Sequence, residues 1–291
     1  MPKKRIGWLF ILPSLMGVAV FYVIPFGDVV RRSFLRAARS TADGRGFAGL
    51  DNYRYVLANP AFRLAAGNTM RFVLVCIPLL LALSLGLAVL LQATRNGQRV
   101  LKSAYLIPLA VPAASVILLW NVVFDSHGCL NGILALLGYE GMDWMNTDAA
   151  FSVLVFSYLW KNLGYDVILW LTGLSRISGS IYEAARVDGA GGWKCFRYIT
   201  LPNIRPVAFT IVILSLLNSF KVFREAYLVA GNYPQEKIYL LQHVFNNWFA
   251  ELSVDKMAAG SVLLCVLITA FVVLLQHSLD NPDPHRQAKE M

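Results

Sequence analysis

Charge is what this chain has little of. Only 15% of its 291 residues are Asp, Glu, Lys or Arg, against about 25% in soluble domains. A water-soluble fold of this length could not cover its surface with so few. Cysteine is also sparse, at Cys76, Cys129, Cys195 and Cys265. Cys76 and Cys265 lie in apolar runs, Cys195 in a basic stretch and Cys129 in an acidic one. No pair shares a polar compartment, so neither a disulfide framework nor a metal site is supported. All four read as small, buried apolar residues. The histidines (His127, His243, His277, His285) are scattered, with no His-Glu-x-x-His and no Ser, His and Asp grouping. No catalytic residue can be named. The run Gly189-Ala190-Gly191-Gly192-Trp193-Lys194 suggests a phosphate loop, but Cys195 follows where Ser or Thr should coordinate magnesium, and the glycine spacing is wrong. The chain is expected to bind no cofactor of its own.

Apolar residues are abundant instead. They make up 57% of the chain, mean hydropathy is +0.56, and they gather in blocks of roughly 20, enough to cross a hydrocarbon core of about 30 Å. This predicts an all-α polytopic membrane protein set among lipids. The net charge of +9 could suit nucleic acid, but the Lys and Arg residues cluster in loops beside apolar runs, where they set topology. A nucleic-acid partner is therefore not expected. The opening Pro2-Lys3-Lys4-Arg5, followed by apolar residues 6–26, is too long for a signal-peptide core and has no Ala-x-Ala site after it. It reads as a first, uncleaved transmembrane helix.

Six spans are predicted, at about 6–29, 69–92, 103–124, 150–173, 206–230 and 258–279, so both termini share one side. The loops on that side carry Arg95, Arg99, Lys102, Arg176, Arg186, Lys194, Arg197 and Arg205, whereas loop 125–149 holds four acids and no Lys or Arg. Cytoplasmic termini follow. The connection 30–68 runs against this count, because it is then external and holds seven arginines. Within it, Asn59-Pro60 predicts a helix start, with Asn as cap and Pro at the first helical position.

Polar residues inside the spans mark a candidate pathway, since an ionised side chain at a helix centre costs about 2.5–3.5 kcal/mol. The candidates are Asn121 in the third span, Lys161, Asn162 and Asp166 in the fourth, and Asn218, Lys221 and Glu225 in the fifth. Asn162 and Asp166 share a face, with Lys161 on another side. Asn218, Lys221 and Glu225 recur at i, i+3 and i+7 as one stripe. A purely structural pairing of Lys221 with Glu225 accounts for that stripe equally well.

The polar segment 181–202 reads as a docking element. Residues 182–187 favour a helix, Ala184 and Ala185 permit close approach, and Gly189 permits a sharp turn. Trp193, Phe196 and Ile199 form an apolar stripe on a second short helix, which Pro202 is expected to end. The series Glu183-Ala184-Ala185, Gly189 and Ile199-Thr200-Leu201-Pro202, flanked by Asp188, Ala190, Phe196 and Pro206, resembles the cytoplasmic "EAA" loop of ABC importer permeases of the carbohydrate-uptake type. The likeness extends over about residues 8–280. It includes Gly49-Leu50-Asp51-Asn52-Tyr53, Leu106-Ile107-Pro108, Trp160-Lys161-Asn162-Leu163-Gly164-Tyr165 and Leu171-Thr172-Gly173-Leu174. It departs after the fifth span, where Ala230-Gly231-Asn232-Tyr233-Pro234 replaces the family's usual Gly-Gly-Pro turn.

That resemblance implies a type I ABC importer permease (MetI-like) fold in the bacterial cytoplasmic membrane, forming a single permease domain over 1–291 with its core at about 69–280. It implies a second permease subunit, a pair of ATP-binding cassette ATPases, an external solute-binding protein and a carbohydrate substrate. It assigns ATPase coupling to Glu183, Ala184, Ala185, Asp188, Gly189, Ala190, Phe196, Ile199, Leu201 and Pro202. Driving alternating access from 1:99 to 99:1 takes about 5.5 kcal/mol, which this loop must transmit. The alternative is a self-sufficient secondary transporter or channel, but no inverted repeat or pair of broken helices is evident. Purified alone, the chain should show neither ATP turnover nor tight ATP binding; a phosphate-release assay showing turnover would contradict the permease reading.

Overall fold

The computed structural model describes residues 3–36, 46–93, 104, 106–223, 226 and 234–280. Helices account for the regular structure of these residues, and no β-strand forms beyond an isolated bridge between Leu35 and Phe47. Five stretches are long and apolar enough to cross a membrane: Phe10–Ser33, Pro60–Gln92, Ala114–Leu136, Arg205–Val222 and Val254–His277. The helix Ala150–Leu174 is not among them, because Lys161, Asn162 and Asp166 dilute its hydropathy. Its 25 residues nevertheless reach about 37 Å at 1.5 Å per residue. Fourteen of them are buried, Asn162 and Asp166 included, so these two polar groups face protein rather than lipid. It is the remaining span, and within residues 64–243 it is the central helix, shared by the apolar clusters there.

Several predicted boundaries shift. The first span starts at Lys3, passes through a π-helical stretch Ala19–Val23 and ends at Ser33. The second begins at Pro60, nine residues before the predicted 69, because Asn59 caps it as anticipated: its Oδ1 accepts the Phe62 amide at 3.0 Å. The third is broken. Residues 106–110 are helical, Val111 and Pro112 leave the helix, and it resumes as Ala113–Phe124. The predicted start at 103 lies outside the described residues. The fifth is regular over Arg205–Ser219 and tightens to a 3-10 turn at Phe220–Val222, while most of 224–230 lies outside the described residues. The last begins at Val254 rather than 258.

The described residues divide into two compact units, 1–63 with 244–271, and 64–243 with 272–291. In the first, the most apolar window of Phe10–Ser33 has no residue buried within the chain, which a bilayer tolerates because lipid tails are as apolar as the side chains. Three arginines at its end and just beyond are ion-paired: Arg31 and Arg32 with Asp28, and Arg36 with Asp51 at 3.0 Å. Asn52 pins this turn by donating to the carbonyls of Ser33 and Leu35 at 2.9 and 2.8 Å. The Phe62 and Trp248 rings stack with centroids 6.1 Å apart, and the Lys256 ammonium sits 4.3 Å over the Tyr55 ring.

In the second unit, apolar clusters line the central helix. One joins Phe72, Cys76 and Leu80 to Phe151, Leu154 and Tyr158; another joins Ala88 and Leu91 to Trp170, Leu174, Ile204 and Ile211. Hydrogen bonds run between the same helices. Trp120 Nε1 donates to Ser157 Oγ at 2.6 Å and Trp170 Nε1 to Ser84 Oγ at 2.9 Å. Tyr158 donates its hydroxyl to the Ser215 carbonyl at 2.7 Å. Segment 235–243 is clasped by Asn68, which donates to the Tyr239 carbonyl at 3.0 Å, and by Thr69, whose hydroxyl oxygen accepts the Leu241 amide at 3.0 Å. Lys237 pairs with Asp148 and holds that carboxyl below the usual carboxylate range. His243 is fully buried between Phe223 and Tyr239. Burial pushes its pKa down to about 4, so it is neutral near pH 7.

Cys76 and Cys195 are buried as expected, but Cys129 is exposed, on the short helix Cys129–Leu136, and Cys265 is half-buried. All four are free. No cluster of His, Cys, Asp and Glu suited to a metal occurs among the described residues.

Gly173 marks a close helix approach. A Cβ there would meet Val207 Cγ2 at 2.7 Å and Val207 Cβ at 3.1 Å, and a β-branched neighbour has little freedom to move aside. Gly173→Ala should therefore destabilise the protein by about 1–3 kcal/mol despite gaining about 1 kcal/mol in helix propensity. Gly86→Ala, where nothing lies within 4 Å, should cause no loss. Thermal midpoints of the two variants in detergent, compared with the parent, check this.

Candidate functional site

The polar segment folds as two short helices joined by one tight turn. Gly179–Val187 closes through Gly189, whose φ is +78°. Ala190 N–H donates to the Ala185 carbonyl at 2.8 Å and Gly189 N–H to the Arg186 carbonyl at 3.0 Å, the paired bonds of a Schellman cap. Residue 189 must take a left-handed conformation that a Cβ disfavours. The second helix runs Gly192–Cys195, then a π-helical stretch Phe196–Thr200, then Leu201–Asn203. Pro202 therefore does not end the helix. It supplies no amide to the ladder, and the chain accommodates it by widening: Leu201 N–H reaches back to the Phe196 carbonyl.

The two arms are tied from within. The hydroxyls of Tyr182 and Thr200 lie 2.8 Å apart, and Thr200 also donates to the Cys195 carbonyl at 3.4 Å. Leu201, with Ile177, packs against the cluster of Trp170, Leu174, Ile204 and Ile211. On the outer side, Glu183, Ala184, Asp188 and Gly189 are exposed, while Ala185, Ala190, Phe196, Ile199, Leu201 and Pro202 are half-buried. The rings of Trp193 and Phe196 stack at 5.8 Å. Val187, Trp193 and Tyr198 are 87%, 74% and 74% exposed, so three large side chains of this segment stay largely uncovered. Val187 and Tyr198 escaped the sequence reading, since nothing in a helical period says which face of a two-helix loop stays uncovered.

A second feature lies between the central helix and its neighbours. A cleft of about 130 Å³ is lined by Leu109, Ser157, Tyr158, Lys161, Asn162, Asn218, Lys221 and Val222. Ser157, Tyr158 and Asn162 form a buried floor; Lys161 and Asn218 are half-buried and Lys221 is exposed. Lys221 Nζ donates to Asn218 Oδ1 at 2.8 Å, and Asn162 Nδ2 donates to the Tyr158 carbonyl at 2.8 Å. The structure thus groups Lys161 with Asn162, against the predicted separation of those two, and with Asn218 and Lys221. Asp166 is not in the cleft. It is 1% exposed and accepts a hydrogen bond from Ser215 Oγ at 3.0 Å. Asn121 is exposed on Ala113–Phe124 and does not line the cleft either, and Glu225 lies outside the described residues. Ser157 and Tyr158 were missed because their side chains had no charge to attract notice.

Six membrane-spanning helices, a polar cleft between helices of segment 106–222 and an exposed two-helix loop are the features of a membrane-embedded transport subunit with the fold of an ABC importer permease. Residues 78–281 match the family described as binding-protein-dependent transport system inner membrane component, and the chain belongs to that family. It is 31% identical, over 94% of its length and 92% of the relative's, to the trehalose/maltose transport system permease protein MalF of Thermococcus litoralis. It is 31% identical, over 95% of its length and 89% of the relative's, to the arabinooligosaccharides transport system permease protein AraP of Bacillus subtilis. Its fold matches a chain of a bacterial ABC transporter involved in import of the acidic polysaccharide alginate, with a TM-score of 0.81 over 95% of this chain and 96% of that one at 18% identity. Membership excludes a self-sufficient secondary transporter or channel.

If the Gly189 turn transmits motion, Gly189→Val should uncouple it. A β-branched residue resists φ near +78°, so substrate uptake should fall at least about ten-fold while the chain still accumulates in the membrane. Uptake assays and immunoblots of the same membranes test this together.

Proposed function

We propose that this chain imports a carbohydrate, working with a second permease subunit, a pair of ATPase subunits that consume ATP, and an external solute-binding protein. The observation that carries the substrate class is the cleft. Hydroxyl, amide and ammonium groups of Ser157, Lys161, Asn162, Asn218 and Lys221 converge there beside the ring of Tyr158. A sugar needs that combination, with several directional partners for its hydroxyls and an aromatic face for its C–H surface. The named relatives act on trehalose/maltose and on arabinooligosaccharides, which supports the same class.

The termini lie in the cytoplasm in this reading, and segment 181–202 meets the ATPase there. The seven arginines of segment 30–68 run against this orientation, but the rule weighs all short loops together and the remaining loops favour it. The uncovered Val187, Trp193 and Tyr198 supply the apolar contact, with Glu183 positioned to pair with a basic group of the ATPase. Closure of the ATPase pair pushes the loop. Leu201, set into the core with Trp170 and Ile211, carries that displacement to the helices that line the cleft.

Replacing Asn218 with Leu removes one cleft amide and strands the Lys221 ammonium it now accepts from. Uptake of the transported saccharide should fall about ten-fold, the loss of roughly one hydrogen bond to a charged or polar partner, with membrane abundance and ATPase retention unchanged. Binding of labelled oligosaccharides to the solute receptor, followed by uptake in membrane vesicles, identifies the substrate; a system that carries no saccharide overturns the assignment.

A further inference from the structure

We propose that the contact between Asp166 and Ser215 is the tie that sets the width of the intramembrane cleft, which makes Asp166 a positioning residue and not part of the cleft wall. The proposal rests on the cleft being the translocation site. Asp166 and Ser215 are 1% and 2% exposed, and neither lines the cleft. Ser215 is held twice from the central helix. Its hydroxyl donates to Asp166 Oδ2 at 3.0 Å, and its carbonyl accepts the Tyr158 hydroxyl at 2.7 Å.

The cleft-lining residues sit one helical turn from this tie on both helices. Asn162 is four residues before Asp166, and Asn218 is three residues after Ser215, so each shares the face of its tie residue. The same two helices touch again at Gly173 and Val207, seven residues beyond Asp166 and eight before Ser215. They are therefore pinned at two points, and the cleft opens past one of them. In a bilayer no hydrophobic force presses helices together, so hydrogen bonds and close packing decide their separation. Releasing the Asp166–Ser215 point leaves Tyr158 alone to hold the floor, Tyr158 and Asn162, against the rim, Asn218 and Lys221.

The test uses the assembled transporter in membranes, with the four native cysteines replaced and Asn218→Cys as a reporter for a water-soluble maleimide. Asp166→Val and Ser215→Ala should each change the labelling rate by about ten-fold. Asp166→Asn should stay near the parent rate, because its side-chain carbonyl accepts the same hydroxyl. In the parent without Asn218→Cys, the first two substitutions should raise the half-saturation concentration for the transported saccharide more than they lower the maximal rate per transporter. Unchanged labelling in both Asp166→Val and Ser215→Ala overturns the proposal. So does an Asp166→Asn variant as altered as Asp166→Val, which would make the charge rather than the contact decisive. Where Asp166→Val fails to accumulate, Ser215→Ala decides alone. The labelling arm reads cleft geometry whatever the solute, so it separates failure of the tie from failure of the carbohydrate assignment.

Discussion

Hydrogen bonds that leave the helix Ala150–Leu174 for its neighbours hold this structure in register. Inside a bilayer, apolar surface gains nothing by meeting apolar surface, so the usual driving force for packing is missing. What remains is close contact and polar pairing. Trp120 with Ser157, Trp170 with Ser84, and Ser215 with Tyr158 and Asp166 connect this helix to three others. The bare Cα of Gly173 against Val207 adds the close contact. A helix too polar to insert comfortably alone is thereby made the one to which three neighbours in its unit are tied.

The loop at 181–202 depends on that bundle but works at its margin. One side is built for stiffness: a Schellman cap at Gly189, a hydroxyl pair between Tyr182 and Thr200, and Leu201 seated in the core. The other side is left apolar and bare. In the proposed coupling role such a segment must be rigid, or a displacement applied to it is absorbed as bending. The π-helical widening before Pro202 shows how the chain keeps a continuous rod through a residue that cannot complete the helical ladder.

Helix identity and the motif positions were legible because they follow from local chemistry. Blocks of about 20 apolar residues predict spans. Asn59-Pro60 predicts a capped start, and Gly189 predicts a turn of positive φ; the structure has both. The errors cluster where local chemistry is ambiguous. Pro202 reads as a stop only if the helix is assumed to keep a single bonding pattern, and the break at Pro112 hides inside an apolar run because hydropathy carries no information about backbone direction. Asp166 and Lys161 looked alike as charges in a span; their surroundings differ entirely.

The sequence by itself determined the solvent this protein lives in, the number of crossings and the place of the polar two-helix loop, since each follows from composition, period or spacing within one stretch of chain. Only the tertiary structure decided which polar residues meet. Ser215 lies 49 positions from Asp166, and Trp170 lies 86 from Ser84, and no periodicity links them. Whether a buried side chain lines a cleft or ties two helices depends on the rotation of one helix about its axis relative to another. That rotation is fixed by packing summed over the whole bundle.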